Sequence, residues 1–203
     1  MVSEKKLWER AIDVWQNESQ SLLSLNEIID RHSFQKIVMM IAQCKGRIIT
    51  SGVGTSAAAA KKIAHTLSCI ERPAFFLSPV DAVHGALGSV QEGDIVILIS
   101  KGGGTKELIN MLTPLERKKA HIIGVTENED SYLARESDLL LKVKVEREAD
   151  SFNMLATSST MAVIAVFDAI CVALMDYTGF TRQQFALIHP GGAVGERLAE
   201  DHT

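Results

Sequence analysis

At positions 47–56 the chain reads RIITSGVGTS, and at positions 94–105 it reads DIVILISKGGGT. In both stretches an apolar run leads directly into a glycine-rich turn and then a helical pattern, which predicts a strand, a loop and a helix. Such a loop exposes backbone N–H groups at a helix N-terminus, where the helix dipole favours an anion. The hydroxyls of Ser56, Ser100 and Thr105 add hydrogen-bonding groups, so the two turns together predict a phosphate site.

The pattern around these turns repeats as strands alternating with helices. Strands are predicted over 47–51, 74–77, 94–100, 121–126 and 139–145, and helices are predicted to begin near Ser56, Thr105, Ser131 and Ala156, with a short helical piece over 80–87. Alternation implies parallel strands, and strands that are apolar throughout imply a sheet buried on both faces. The prediction is an α/β fold: a three-layer α/β/α sandwich with a five-stranded parallel sheet in flavodoxin-like order. The first and third strands then flank the topological switch point, where ligands bind.

The N-terminal part of the chain carries a different pattern. Apolar residues at helical spacing predict an amphipathic helix over about 4–30 and a shorter helix over 34–43. We expect residues 1–45 to pack on the core and to form part of an oligomer interface, because Trp8 and Trp15 add apolar surface. A length of 203 residues suggests one domain over the whole chain, 1–203.

Composition narrows the function classes. The net charge of −4, without a long basic stretch, gives little support to nucleic-acid binding. Three cysteines far apart make neither a disulfide framework nor a Cys-x-x-Cys metal pattern, so we expect a reducing cytoplasm, no required metal and no cofactor. The apolar segment 154–175 is long enough to span a membrane, but Asp168 lies inside it, and we expect a buried helix and no membrane contact.

Five motifs are similar to SIS (sugar isomerase) domains over residues 35–200, and more narrowly to the arabinose-5-phosphate isomerase group of the KpsF/GutQ type. They are GVGTS at 52–56, DAVHGALG at 81–88, SKGGGTKE at 100–107, ATSST at 156–160 and FALIHPGGAVG at 185–195. The resemblance implies a cytoplasmic homotetramer with active sites shared between protomers. Many members carry paired CBS modules after the SIS domain, and we expect none here.

The resemblance assigns candidate residues by motif. The candidates for phosphate binding are Gly54, Thr55, Ser56, Ser100, Gly103, Gly104, Thr105, Thr157 and Ser158. An ordinary strand–helix turn is the alternative for the loops, and helix capping is the alternative for Thr157 and Ser158. The candidates for catalysis are Glu148, His189, Glu107, His84 and Lys101.

Two positions depart from the family pattern. Thr55 stands where family isomerases usually have lysine, and Gly102 replaces the second serine of their phosphate loop. Lys101, next to Gly102, is an unusual cation in that loop, and we expect it to supply the missing charge to a developing oxyanion.

The implied reaction is aldose–ketose isomerisation of a sugar phosphate, with arabinose 5-phosphate and ribulose 5-phosphate as the first candidates. We expect Glu148, with a pKa raised by burial, to carry the proton between C1 and C2. His189 is expected to assist ring opening, and Glu107 to orient the substrate or act as a second acid or base. The alternatives are an isomerase of a hexulose or heptulose phosphate, and a sugar-phosphate sensor without turnover.

Overall fold

The computed structural model describes residues 3–191. Its elements, in chain order, are α1 (Glu4–Leu23), α2 (Leu25–Ile28), α3 (Arg31–Gln43), β1 (Ile48–Gly52), α4 (Thr55–Ser68), β2 (Ala74–Phe76), α5 (Pro79–Ala82), a 3₁₀ turn (Ala86–Ser89), β3 (Ile95–Ile99), α6 (Lys106–Arg117), β4 (His121–Thr126), α7 (Tyr132–Arg135), β5 (Leu139–Lys142), α8 (Ser158–Thr178) and α9 (Arg182–Ile188).

The five strands form one parallel sheet in the order β2-β1-β3-β4-β5. This is the predicted flavodoxin-like order, and the fold prediction is confirmed. The chain runs outward from β1 to β2, then crosses back to β3, so the switch point lies between β1 and β3. Both glycine loops follow these two strands at the carboxyl edge of the sheet.

Helices cover both faces of the sheet, and each face has its own apolar core. On one side α3, α4 and α8 pack around Ile63, Phe167 and Ile170. On the other side α6 and α7 pack around Leu108 and Met111. The central strands β1 and β3 are buried on both faces, as their continuous apolar runs predict, whereas the edge strands β2 and β5 are only partly buried.

Several boundaries differ from the predicted ones for local reasons. The helix predicted over 4–30 is divided at Ser24 into α1 and the single turn α2. Helix α3 begins at Arg31, three residues earlier than expected, because the Asp30 carboxylate accepts a hydrogen bond from the N–H of Ser33 at 2.6 Å. Strand β5 ends at Lys142, not at 145, because its neighbour β4 ends at Thr126, whose carbonyl accepts one last hydrogen bond from the N–H of Val143.

Helix α8 has the length and composition of a membrane-spanning helix, with 21 residues and a mean hydropathy of 2.0. One face is buried against α1, α3 and α4, as expected for a core helix. Its one acidic residue before the last turn, Asp168, pairs with Lys62 of α4. Another face leaves Met161, Val172 and Tyr177 exposed, so the helix is apolar on more sides than this chain covers.

Candidate active site

A cleft opens at the carboxyl edge of the sheet, at the predicted switch point. Its lining comes from the ends of β3 and β4 and from the first turns of α4 and α8: Thr55, Ser56, Ala59, Ile99, Lys101, Val125, Thr126, Val143, Ala156, Ser159, Thr160 and Val163. Among the described residues Lys101 is the only charged side chain in this lining. The cleft therefore presents one cation among neutral hydroxyls and an apolar floor.

The first glycine loop brings β1 close to α4. A Cβ on Gly52 would lie 2.8 Å from the backbone carbonyl group of Ser56, so only glycine permits this approach. Gly54 takes a positive φ of 60° at the N-cap of α4. Thr55 and Ser56 begin the helix and line the cleft, which places the α4 N-terminus toward any bound anion.

The second glycine loop is braced from within. The hydroxyls of Ser100 and Thr105 are hydrogen-bonded to each other at 2.8 Å, and the N–H of Gly103 donates to Ser100 Oγ at 3.1 Å. Gly103 has a φ of 68°, and a Cβ there would lie 2.1 Å from Ser131 Oγ. The amide of Gly103 is thus used inside the loop, while Gly104 stands exposed beside it.

Lys101 forms an ion pair with Glu148 across the cleft wall. Lys101 Nζ donates to Glu148 Oε1 at 2.6 Å; the lysine side chain is 43% exposed and the glutamate side chain 1%. The carbonyl of Lys101 accepts hydrogen bonds from Thr126 Oγ1 at 2.7 Å and from the N–H of Glu127 at 3.0 Å. The cation is therefore held by its backbone and by its head group.

Glu148 also caps the long helix. Its Oε2 accepts hydrogen bonds from the N–H groups of Thr157 at 3.0 Å and Ser159 at 3.1 Å, next to the start of α8. A carboxylate at this position complements the positive end of the helix dipole. Glu148 thus links the N-terminus of α8 to the cation of the glycine loop.

The ionisation of Glu148 differs from the prediction. Burial raises the pKa of this carboxyl, but the hydrogen bonds from Lys101, Ser159 and Thr157 outweigh it and lower the pKa to about 2. The expectation of a raised pKa was wrong because it considered burial without the donors that the fold brings to the carboxylate. Glu148 is ionised at neutral pH and binds a proton weakly.

Thr157 and Ser158 use their hydroxyls inside the protein. Thr157 Oγ1 accepts from the N–H of Ala149 at 3.1 Å and approaches Glu148 Oε2 at 3.4 Å. Ser158 is buried, and its hydroxyl donates to Asn17 Oδ1 of α1 at 2.7 Å. Neither side chain lines the cleft, whereas the next two residues, Ser159 and Thr160, do.

Glu107 and His84 lie on the surface. Glu107 is exposed in the first turn of α6, and His84 is exposed in the turn that follows α5. Neither is among the cleft-lining residues of the described part of the chain.

His189 is remote from the cleft of its own chain. It follows α9, where its ring stacks on Phe185 with centroids 4.0 Å apart and its Nδ1 lies 2.9 Å from the carbonyl oxygen of Phe185. Helix α8 starts at the cleft, and its 21 residues span about 30 Å before α9 begins. Gln184 of α9 contacts Glu71, beyond the far end of α4. Residues 192–195 of the motif around His189 lie outside the described residues.

Three polar residues of the cleft lining were missed from the sequence: Thr126, Ser159 and Thr160. The signal for two of them was present, since the run at 157–160 offers four hydroxyls, and the helical turn decides which ones face the cleft. Within residues 3–191, no group of three His, Cys, Asp or Glu side chains is placed to hold a metal ion.

The SIS domain model matches residues 40–173 of the sequence, about two thirds of it. The chain belongs to the SIS domain family. The match spans the whole sheet and about the first three quarters of α8, and so includes both glycine loops and Glu148.

Curated relatives of this SIS domain are longer proteins. It is 35% identical over 181 residues to the arabinose 5-phosphate isomerase KpsF of Escherichia coli O6:H1, covering 89% of this chain and 55% of the relative. It is 39% identical over 165 residues to the arabinose 5-phosphate isomerase GutQ of Salmonella typhi, covering 81% and 51%. The chain thus spans about half the length of the curated relatives it matches.

Solved structures match over their full length. A candidate sugar-phosphate isomerase from Listeria monocytogenes is 49% identical, with a TM-score of 0.93 and coverage of 94% of this chain and 100% of that one. The E. coli CFT073 protein c3406, solved in complex with arabinose 5-phosphate, is 32% identical, with a TM-score of 0.88 and coverage of 93% and 100%.

Proposed function

We propose that this SIS domain is a sugar-phosphate aldose–ketose isomerase acting on arabinose 5-phosphate and ribulose 5-phosphate. The observation that carries the proposal is the single cation, Lys101, held in a hydroxyl-lined cleft at the switch point of the sheet. The names of the curated relatives and the arabinose 5-phosphate complex of a 32% identical protein support this substrate class.

The substrate phosphate is assigned to the two glycine loops. The N-terminus of α4, with Thr55 and Ser56, offers N–H groups and hydroxyls aligned with the helix dipole. Ser100, Gly104 and Thr105 form the facing loop. The amides at the start of α8 are engaged with Glu148, so Thr157 and Ser158 serve this site through the framework rather than by direct contact.

The sugar end is assigned to Lys101. Isomerisation removes a proton from the carbon next to the carbonyl, forms an enediolate and returns a proton to the neighbouring carbon. A fixed cation stabilises the enediolate more than the neutral substrate and so accelerates the reaction. The candidates for proton transfer are Glu148, Glu107 and His189, with His84 as a further acid or base.

We further propose a homotetramer with shared sites. His189 does not line the cleft of its own chain and follows α9, past the far end of α8, so we assign it to the cleft of another copy. Exposed apolar side chains on α1, on the loop before α8 and on α8 itself supply surface for such contacts: Leu7, Trp8, Trp15, Phe152, Met154, Leu155, Met161, Val172 and Tyr177. The proposed compartment is the cytoplasm, in keeping with three cysteines that are free thiols.

The test is turnover of a panel of pentose, hexose and heptose phosphates, together with thermal shift by each phosphate and its free sugar. The proposal expects conversion of arabinose 5-phosphate to ribulose 5-phosphate and stabilisation by the phosphates alone. Turnover of only a hexulose or heptulose phosphate would replace the substrate and keep the reaction class. Equal stabilisation by free sugars would contradict the phosphate assignment.

A sugar-phosphate sensor is the second candidate, and two residues favour it. Thr55 and Gly102 depart from the family isomerases, so one cation and one hydroxyl of their pattern are missing. Binding of sugar phosphates without conversion of any of them would establish this alternative.

A further inference from the structure

We infer that Glu148 is a positioning residue that acts through Lys101, and that the proton of the isomerisation does not pass through its carboxylate. The inference rests on the proposed function and deepens it. It changes the assignment of Glu148, the acidic side chain that is hydrogen-bonded to the cleft residue Lys101.

The carboxylate of Glu148 is not accessible from the cleft. Glu148 is fully buried and is not among the cleft-lining residues, whereas Lys101 lines the cleft and is about half exposed. A base must come within hydrogen-bond reach of the proton that it removes. Lys101 lines the cleft and is hydrogen-bonded to Glu148, which does not line it, so we expect a bound substrate to contact the lysine and not the carboxylate.

Both carboxylate oxygens of Glu148 already accept hydrogen bonds from the protein. Oε1 of Glu148 accepts from Lys101 Nζ at 2.6 Å, and Oε2 accepts from the N–H groups of Thr157 and Ser159. A proton arriving on Oε2 would compete with the two backbone N–H donors at the start of α8, and leaving such a donor unpaired is costly. Both oxygens are therefore committed to the framework.

The backbone around Glu148 is built to hold one geometry. The N–H of Glu148 donates to Asn153 Oδ1 at 2.7 Å, and Asn153 itself has a positive φ of 58°. The next residue, Ala149, donates its N–H to Thr157 Oγ1 and accepts from Arg10 of α1 at 3.0 Å. These hydrogen bonds fix the backbone on both sides of Glu148 and so hold its carboxylate in one position. The pKa of Glu148, lowered to about 2, keeps the carboxylate charged at neutral pH beside the Lys101 amine.

The test compares the pH dependence of kcat/KM in the wild type, Lys101→Ala, Glu148→Gln and the double variant, measured on the full chain with arabinose 5-phosphate. We expect each single variant to lose about 10²-fold in kcat with little change in KM. The double variant should be no worse than Lys101→Ala, because Glu148 acts on the reaction only through the Lys101 amine, which that single change already removes. Glu92→Gln breaks the exposed pair of Glu92 with Lys119 and is the matched control, expected to be unchanged.

The pH profile of Lys101→Ala distinguishes a base from a positioning residue at Glu148 even if Glu148→Gln does not fold. If Glu148 were the base, loss of Lys101 would raise its pKa and create a new acidic limb in kcat/KM, since burial would then act with less opposition. With Glu148 as a positioning residue, no new limb arises. A new limb, or a double variant far below Lys101→Ala, would overturn this inference alone. A wild type that isomerises no sugar phosphate would overturn the proposed function and the role that rests on it.

Discussion

Lys101 and Glu148 show what single residues reveal before their neighbours are known. Both were selected from the sequence by motif, but their contact joins positions 47 residues apart and follows only from the fold. The same holds for the pKa of Glu148: burial could be expected from the sequence, whereas the donors from Lys101, Thr157 and Ser159 could not. The sequence therefore identified Lys101 and Glu148 as candidate site residues, whereas the direction of the pKa shift of Glu148 depends on tertiary contacts.

The lowered pKa of Glu148 predicts a pH-dependent contribution to stability. A depressed carboxyl pKa stabilises the folded state above the ordinary value of 4.5, and this contribution is lost as the pH falls toward 2. Relative to Glu148→Gln, we expect the wild type to be more stable at pH 7 by on the order of 2 kcal/mol, after allowing for solvent screening at Lys101.

The measurement is denaturant unfolding of both proteins at several pH values and one protein concentration. The advantage of the wild type should shrink between about pH 5 and pH 2. A difference that stays constant over this range would contradict the charge-based account of Glu148.

Thr105 predicts an effect on ligand binding. Thr105→Val keeps the shape of the side chain but removes the hydroxyl that is bonded to Ser100. Binding of ribulose 5-phosphate should weaken by about 0.5–3 kcal/mol, since a hydrogen bond to a charged phosphate is lost. Isothermal titration would show it, with Thr113→Val on the exposed side of α6 as the control. Equal binding by the two variants would remove Thr105 from the phosphate site.

At the scale of elements, the strand–loop–helix units followed from periodicity and glycine placement. The β1–α4 and β3–α6 units lie where the sequence predicts them because each combines an apolar strand, a glycine turn and a helix start. Boundaries were less well predicted, since caps such as Asp30 and the length of a neighbouring strand determine where an element ends. The docking of one loop on another, as of Gly103 on Ser131, had no sequence signal.

That docking predicts a contrast between adjacent glycines. Gly103→Ala places a Cβ against Ser131, the N-cap of α7, at a positive φ, and should lower the free energy of unfolding by about 2 kcal/mol or more. Gly102→Ala meets no atom within 4 Å and should change stability little. Thermal unfolding of the two variants tests the contrast, and similar melting temperatures would count against it.

At the scale of the whole molecule, strand order and the position of the cleft were predictable because parallel α/β topology leaves few alternatives. The position of His189 was not, since its distance from the cleft depends on the length and direction of α8. The exposed faces of α1 and α8 likewise show their extent only when the helices are docked. These features bear on the proposed homotetramer, whose contacts would each need a second chain.

Shared sites predict complementation between inactive variants. Lys101→Ala and His189→Ala should each be nearly inactive alone, because each removes one half of every site. Mixed assemblies, formed by co-expression, should regain a measurable fraction of wild-type activity, since some clefts then combine an intact lysine with an intact histidine. Mixed assemblies as inactive as the two parents would rule out contributions from different chains. A fully active monomer in light scattering would do the same.

The length of helix α8 also determines the direction of α9 relative to the cleft. The helix starts at the carboxylate of Glu148 and, about 30 Å later, sets the direction in which α9 leaves the body. Each residue added to such a rod advances its end by about 1.5 Å and turns it by about 100°. One inserted residue would therefore turn α9 by about 100°, whereas seven would return it to within about 20° of its original direction. A change in the number of residues in α8 thus alters the direction of α9 more than it alters the distance between the two ends of the helix.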